Sequence, residues 1–130
     1  MTPLLQVVVC MTLLTFVSIV LGAVVRNREW TLQGMQYGLS NRDKLPAATP
    51  MGARAERAAA NTKENFILFL ALALTAHLAG VGEQALLGAQ VFIWARLVYL
   101  PIYIQGITYL RSAVWVAGIV GLAMMAMALV

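Results

Sequence analysis

Charge is scarce in this chain, and acidic charge is the scarcest. Of its 130 residues 11% are charged and 62% are hydrophobic, with five acidic residues against nine basic ones. Soluble domains carry roughly 25% charged residues, so an ordinary water-soluble domain is excluded and a membrane protein is indicated. There is one cysteine, Cys10, inside an apolar run. It cannot form an intrachain disulfide, and nothing near it in sequence would activate it as a nucleophile. The single histidine, His77, has no other ligand types close by, so it reads as a packing or interface residue and no metal site is expected. The net charge of +4 is not clustered enough to suggest nucleic acid, and in a membrane protein it is a topology signal. An internal inverted repeat is also missing, which argues against a transporter or channel.

What is present is a set of apolar runs of spanning length. Pro3 to Val25 is 23 residues without a charge. It is too long for a signal peptide and lacks a basic leader, so it reads as a retained first span. Arg26 to Gly52 is the one long polar segment, where Gly34, Gly38, Pro46 and Pro50 argue against a continuous helix. Trp30, Leu32, Met35 and Tyr37 in it suit the membrane surface. Spans are expected at about 3–25, 57–79, 85–105 and 112–130, giving an all-α integral membrane protein built as a four-transmembrane-helix bundle in one domain of residues 1–130. The short Gly80–Gln84 link makes the second and third spans antiparallel neighbours. Arg26, Arg28, Arg42, Lys44, Arg54 and Arg57 follow span one, whereas Glu83 alone follows span two. The positive-inside rule therefore puts the 26–57 loop in the cytoplasm.

Two polar stripes interrupt this apolar plan. Arg57, Asn61 and Glu64 fall at i, i+4 and i+7 on one helix face, with Arg54 a turn earlier. The uncharged run that follows, Asn65 to Leu78, has 14 residues, or roughly 21 Å of helix, too short to cross a core of about 30 Å. A spanning helix must then draw part of the charged stretch inward, where charges mark functional sites by default. The same run also suits a juxtamembrane helix start with snorkelling Arg and Lys. The second stripe is Arg96, Tyr99 and Tyr103 in the third span, with Pro101 freeing the carbonyl of Leu97. A lone mid-span arginine needs a partner, and Glu64 is the expected one. A cation, an amide and a carboxylate in line would suit a small zwitterionic ligand.

Arg57-x-x-x-Asn61-x-x-Glu64 entering the second span, followed by Ala95-Arg96-x-x-Tyr99-x-x-x-Tyr103 in the third, resembles the MAPEG family of membrane-associated proteins in eicosanoid and glutathione metabolism. The form of the third-span motif, with Tyr109-Leu-Arg111 after it, looks most like the bacterial branch and a bacterial inner membrane. The resemblance implies a homotrimer with glutathione as co-substrate, bound in a bent shape between subunits. It implies a lipophilic second substrate and contact with membrane lipids. It maps Arg57, Asn61, Glu64, Arg96, Tyr99 and Tyr103 onto ligand-contacting positions. Arg111 is the nearest candidate for the arginine that stabilises the glutathione thiolate, shifted by about one residue from the family register. Arg28 or Arg26 stands for the arginine at the end of span one. Ala60 departs from relatives that carry a further arginine before the asparagine.

Three functions follow from these readings: a glutathione-dependent transferase or peroxidase, a non-catalytic lipid-binding family member, and an accessory subunit of a larger membrane complex. Loss of turnover on replacing Arg111 would mark the first. Glutathione binding without turnover would mark the second, and stoichiometric co-purifying partners the third.

Overall fold

Three threonines start three of the helices. In the computed structural model, which describes residues 1–43 and 46–130, the hydroxyls of Thr2, Thr31 and Thr49 accept from the backbone N–H groups of Leu5, Gly34 and Gly52. These are N-caps that satisfy donors the first turn leaves free, and Pro3 and Pro50 follow two of them where proline is already shaped for a helix. The helices are α1 (Pro3–Asn27), α2 (Leu32–Leu39), α3 (Pro50–Leu78), α4 (Gly82–Gln105) and α5 (Thr108–Met127). Gly106, at φ 79°, ends α4 in the left-handed region, and Ile107 leads directly into α5.

The segment expected as a polar loop holds the short helix α2. Gly34 sits where this helix folds back over the end of α1, and a Cβ there would collide with the carbonyl oxygens of Asn27 and Arg28. The glycine that argues against a helix by propensity is thus what lets one form in this space. Helix α3 begins at Pro50, ahead of the charged stretch from Arg54 that reads as helical, because Thr49-Pro50 is a start signal. Lys44, counted among the basic loop residues, lies outside the described residues.

α4 packs most extensively on α5, and α1 on α3, while α3 and α1 both reach α4. The buried stripe of α3 is Ala55, Ala58, Ala59, Thr62, Asn65, Phe69, Ala73 and Ala76, spaced by three or four residues almost throughout. Small side chains bring the helices close, and one aromatic pair fills the middle. Phe69 and Phe92 stack with centroids 4.9 Å apart and planes 9° apart. Gly88 and Gly121 meet where α4 crosses α5, and a Cβ on either would lie 2.7 Å from the other's carbonyl oxygen.

α1, α4 and α5 are long and apolar enough to cross a membrane. Phe16, Leu87 and Trp94 point outward at 60% exposure or more, an arrangement that a hydrocarbon environment accounts for and water does not.

Candidate functional site

A cleft of about 420 Å³ opens where α3, α4 and α5 converge, lined by Arg57, Ala60, Asn61, Glu64, Tyr99, Tyr103, Arg111, Ser112 and Trp115. That volume lies within the range of roughly 300–1,000 Å³ typical of small-ligand sites. Six of the predicted site residues meet here from three helices. Arg57, Asn61 and Glu64 come from one face of α3, Tyr99 and Tyr103 from successive turns of α4, and Arg111 from the first turn of α5.

The polar groups engage one another. Arg57 Nε donates to Tyr103 Oη at 3.1 Å. The Arg111 guanidinium carbon lies 5.0 Å from the centroid of the same ring, so Tyr103 stands between two cations. Tyr99 and Tyr103 are 5.3 Å apart at 57°, a tilted pair that fixes both rings. Arg54, one turn before Arg57 on α3, is tied to the end of α4, its Nε donating to the carbonyl of Ile104 at 2.9 Å. It thereby places a cation at the C-terminal end of α4, where the helix dipole favours one.

Arg96 does not line the cleft. It is 2% exposed, and its Nη2 donates to Asn61 Oδ1 at 2.7 Å and to Thr62 Oγ1 at 3.1 Å. Its guanidinium carbon also lies 4.2 Å from the centroid of the Tyr99 ring, while its Nε is buried without a partner among the described residues. The expected ion pair with Glu64 is therefore corrected: Asn61 and Thr62 are the partners. Thr62 and Asn65 belong to the buried face of α3 and Asn61 borders it, whereas Glu64 is exposed at the cleft. Neutral acceptors and a ring face satisfy the arginine without burying a carboxylate beside it, which would add a second desolvation penalty.

Arg28 is not brought to this cleft. It caps the end of α1 and lines a separate cleft of about 300 Å³ with Arg26, Asn27, Thr31 and Tyr37. Arg26 is held there by Glu56 Oε2, 3.2 Å from its Nε, and by the carbonyl of Pro46, 2.9 Å from its Nη2. Ser112, Trp115, Thr62 and Asn65 belong to the site or its support but were missed as such. Trp115 follows Arg111 at i+4, and Asn65 follows Asn61 at i+4, so helix spacing could have found both.

An all-helical membrane architecture with a polar cleft facing Arg, Asn, Glu and Tyr side chains defines the class: an integral membrane protein with a charged intramembrane or interfacial site. The chain belongs to the MAPEG family, whose family model matches residues 4–130. That membership carries a glutathione-related membrane function at the level of the family. Neither curated proteins nor solved structures give a match.

Proposed function

We propose that the protein is a glutathione-dependent transferase or peroxidase that acts on lipophilic electrophiles from the bilayer. The observation that carries this reading is the convergence of Arg57, Asn61, Glu64, Tyr103 and Arg111 on one cleft. Glutathione has two carboxylates, an ammonium and a thiol. Arginines hold carboxylates by charge-assisted bonds, and Glu64 is the carboxylate available for the ammonium. Arg111 is the thiolate-stabilising cation, because it stands at the start of α5 beside the tyrosine pair. A free thiol has pKa about 8.5, and a neighbouring cation lowers it towards neutrality.

In the transfer reaction the thiolate attacks an electrophilic carbon, forming a C–S bond while the leaving group departs with its electron pair. With a hydroperoxide the thiolate takes the terminal oxygen and the alkoxide leaves and is protonated. A second glutathione then displaces hydroxide from the sulfenic acid to give the disulfide and, after protonation, water.

The assembly in this proposal is a homotrimer of four-span subunits, with α3 as the remaining span and the 26–57 loop on the cytoplasmic side of a bacterial inner membrane. Each site then lies between neighbouring subunits, which gives Arg26 and Arg28 a route to a cleft other than their own subunit's. A second reading, a non-catalytic lipid-binding or accessory member, draws on Arg96, whose partners are all internal.

Titrating glutathione into detergent-purified protein while following thiolate absorbance in the ultraviolet tests the reading. A saturable signal that disappears on Arg57→Ala or Arg111→Ala is expected. The absence of any signal at millimolar glutathione would remove the transferase reading.

A further inference from the structure

Hydrogen bonds behind the cleft wall decide which atoms the wall offers. Asn65 Nδ2 donates to the backbone carbonyl of Asn61 at 2.9 Å and to Asn61 Oδ1 at 3.3 Å. A carbonyl can only accept, so the atom of Asn65 that faces it is the amide nitrogen. Arg96 Nη2 lies 2.7 Å from that same Asn61 side-chain atom, and a guanidinium can only donate. Two donors converge there, so the atom must be the carbonyl oxygen, and the amide nitrogen of Asn61 is turned the other way. Among the described residues that nitrogen has no hydrogen-bond partner, it is not sealed from the surface, and its residue lines the cleft. Tyr103 follows the same logic. Its hydroxyl oxygen accepts from Arg57 Nε, which leaves the O–H proton free to donate.

We infer that Arg96 is a positioning residue that locks Asn61 as a hydrogen-bond donor, so that the cleft selects an occupant through acceptor atoms, namely a dicarboxylate. Asn61, Tyr103, Arg57 and Arg111 then all present donors or positive charge to the occupant. Among the described residues Glu64 is the one carboxylate in the lining, and Ser112 adds a neutral hydroxyl. Thr62, 1% exposed, holds the guanidinium from behind, so the lock is built into the α3–α4 contact and does not depend on the ligand. The occupant's name rests on the glutathione reading; the donor polarity of the wall does not.

The test uses two probes on the full-length protein in detergent: glutathione, and glutarate, which offers two carboxylates and nothing else. Dissociation constants are measured by calorimetry for the wild type, Asn61→Ala, Asn61→Asp, Arg96→Lys and Arg96→Met, with thermal unfolding confirming that each is folded. Asn61→Asp keeps the bond to Arg96 but turns an acceptor towards the cleft. It is expected to bind glutarate about tenfold or more weakly than Asn61→Ala does. Arg96→Met keeps bulk without a donor and is expected to lose several-fold in affinity, while Arg96→Lys, which still donates, recovers most of it.

Equal or tighter binding by Asn61→Asp than by Asn61→Ala would overturn the donor wall and leave the glutathione reading standing. Binding of glutarate but not glutathione, with the expected Asn61 pattern, would do the reverse. No binding of either probe to the wild type would overturn both. If Arg96→Lys behaves as poorly as Arg96→Met, Arg96 does not act by donating. Should Arg96→Met fail to fold, the Asn61 pair decides alone.

Discussion

Tyr103 meets Arg57 through its hydroxyl and Arg111 through its ring face, so the two cations are held for different purposes. A guanidinium hydrogen-bonded to a phenol is fixed in direction, whereas one resting on a ring keeps its N–H groups for a ligand. Under the proposed function, Arg111→Ala should therefore lower transferase turnover by about a hundredfold or more, the scale for removing one stabiliser of a developing anion, while glutathione affinity changes only a few-fold. Steady-state kinetics with a generic lipophilic electrophile, set against binding measured separately, checks the split. Equal losses in both would make Arg111 a binding residue only. Deeper in the wall, Thr62→Val keeps the shape of the side chain but leaves Arg96 short of an acceptor in a buried place. The expected cost is about 1–3 kcal/mol of stability, read as a lower midpoint in thermal unfolding in detergent.

At the scale of helices, the α4–α5 crossing depends on two glycines far apart in sequence. Gly88 and Gly121 each face the other's carbonyl oxygen, too close for a Cβ to enter without a shift. Gly121→Val should then push α5 away from α4 and cost about 1–3 kcal/mol as overpacking. Because α5 carries Arg111, Ser112 and Trp115, the same change should also weaken glutathione binding. A Val variant with unchanged melting and affinity would show that the crossing can relax. The sequence carries little sign of this pair. Gly118 and Gly121 stand three apart, which is not a GxxxG pattern, and only tertiary placement gives Gly121 its partner. By contrast the two polar stripes were legible, since i, i+4 and i+7 spacing on a helix needs no tertiary knowledge. The partner of Arg96 was not. Charge alone favours Glu64, but the rotation of α3 turns Asn61 and Thr62 towards Arg96 and leaves Glu64 at the cleft. Helix α2 was missed because Gly34 and Gly38 lower propensity, and it is the close approach to α1 that rewards a glycine there.

Across the whole molecule, five of the basic residues gather at one end, and outward-facing apolar side chains such as Phe16, Leu87 and Trp94 lie on the long helices. Arg26, Arg28, Arg42, Arg54 and Arg57 lie at or near the α1–α3 connection, and Glu83 stands in the first turn of α4 at the opposite end. The proposed cytoplasmic position of the 26–57 loop follows from that asymmetry, and the lone cysteine makes it simple to test. In a Cys10→Ser background, a single cysteine at Asn41 or at Glu83 gives one exposed reporter at each end. A membrane-impermeant thiol reagent added to intact bacterial cells should label Glu83→Cys and spare Asn41→Cys until the membrane is opened. If α3 crosses the bilayer, the two sites must lie on opposite sides, because Asn41 precedes that helix and Glu83 follows it. Labelling of both from outside would remove α3 as a span and leave the crossings to the three apolar helices. Labelling of Asn41→Cys alone would keep four spans and invert the orientation, placing the Arg57 and Arg111 cleft on the side away from cytosolic glutathione. Of these results only the first supplies the cleft with thiol from the cell's interior, so the topology and the proposed chemistry stand together.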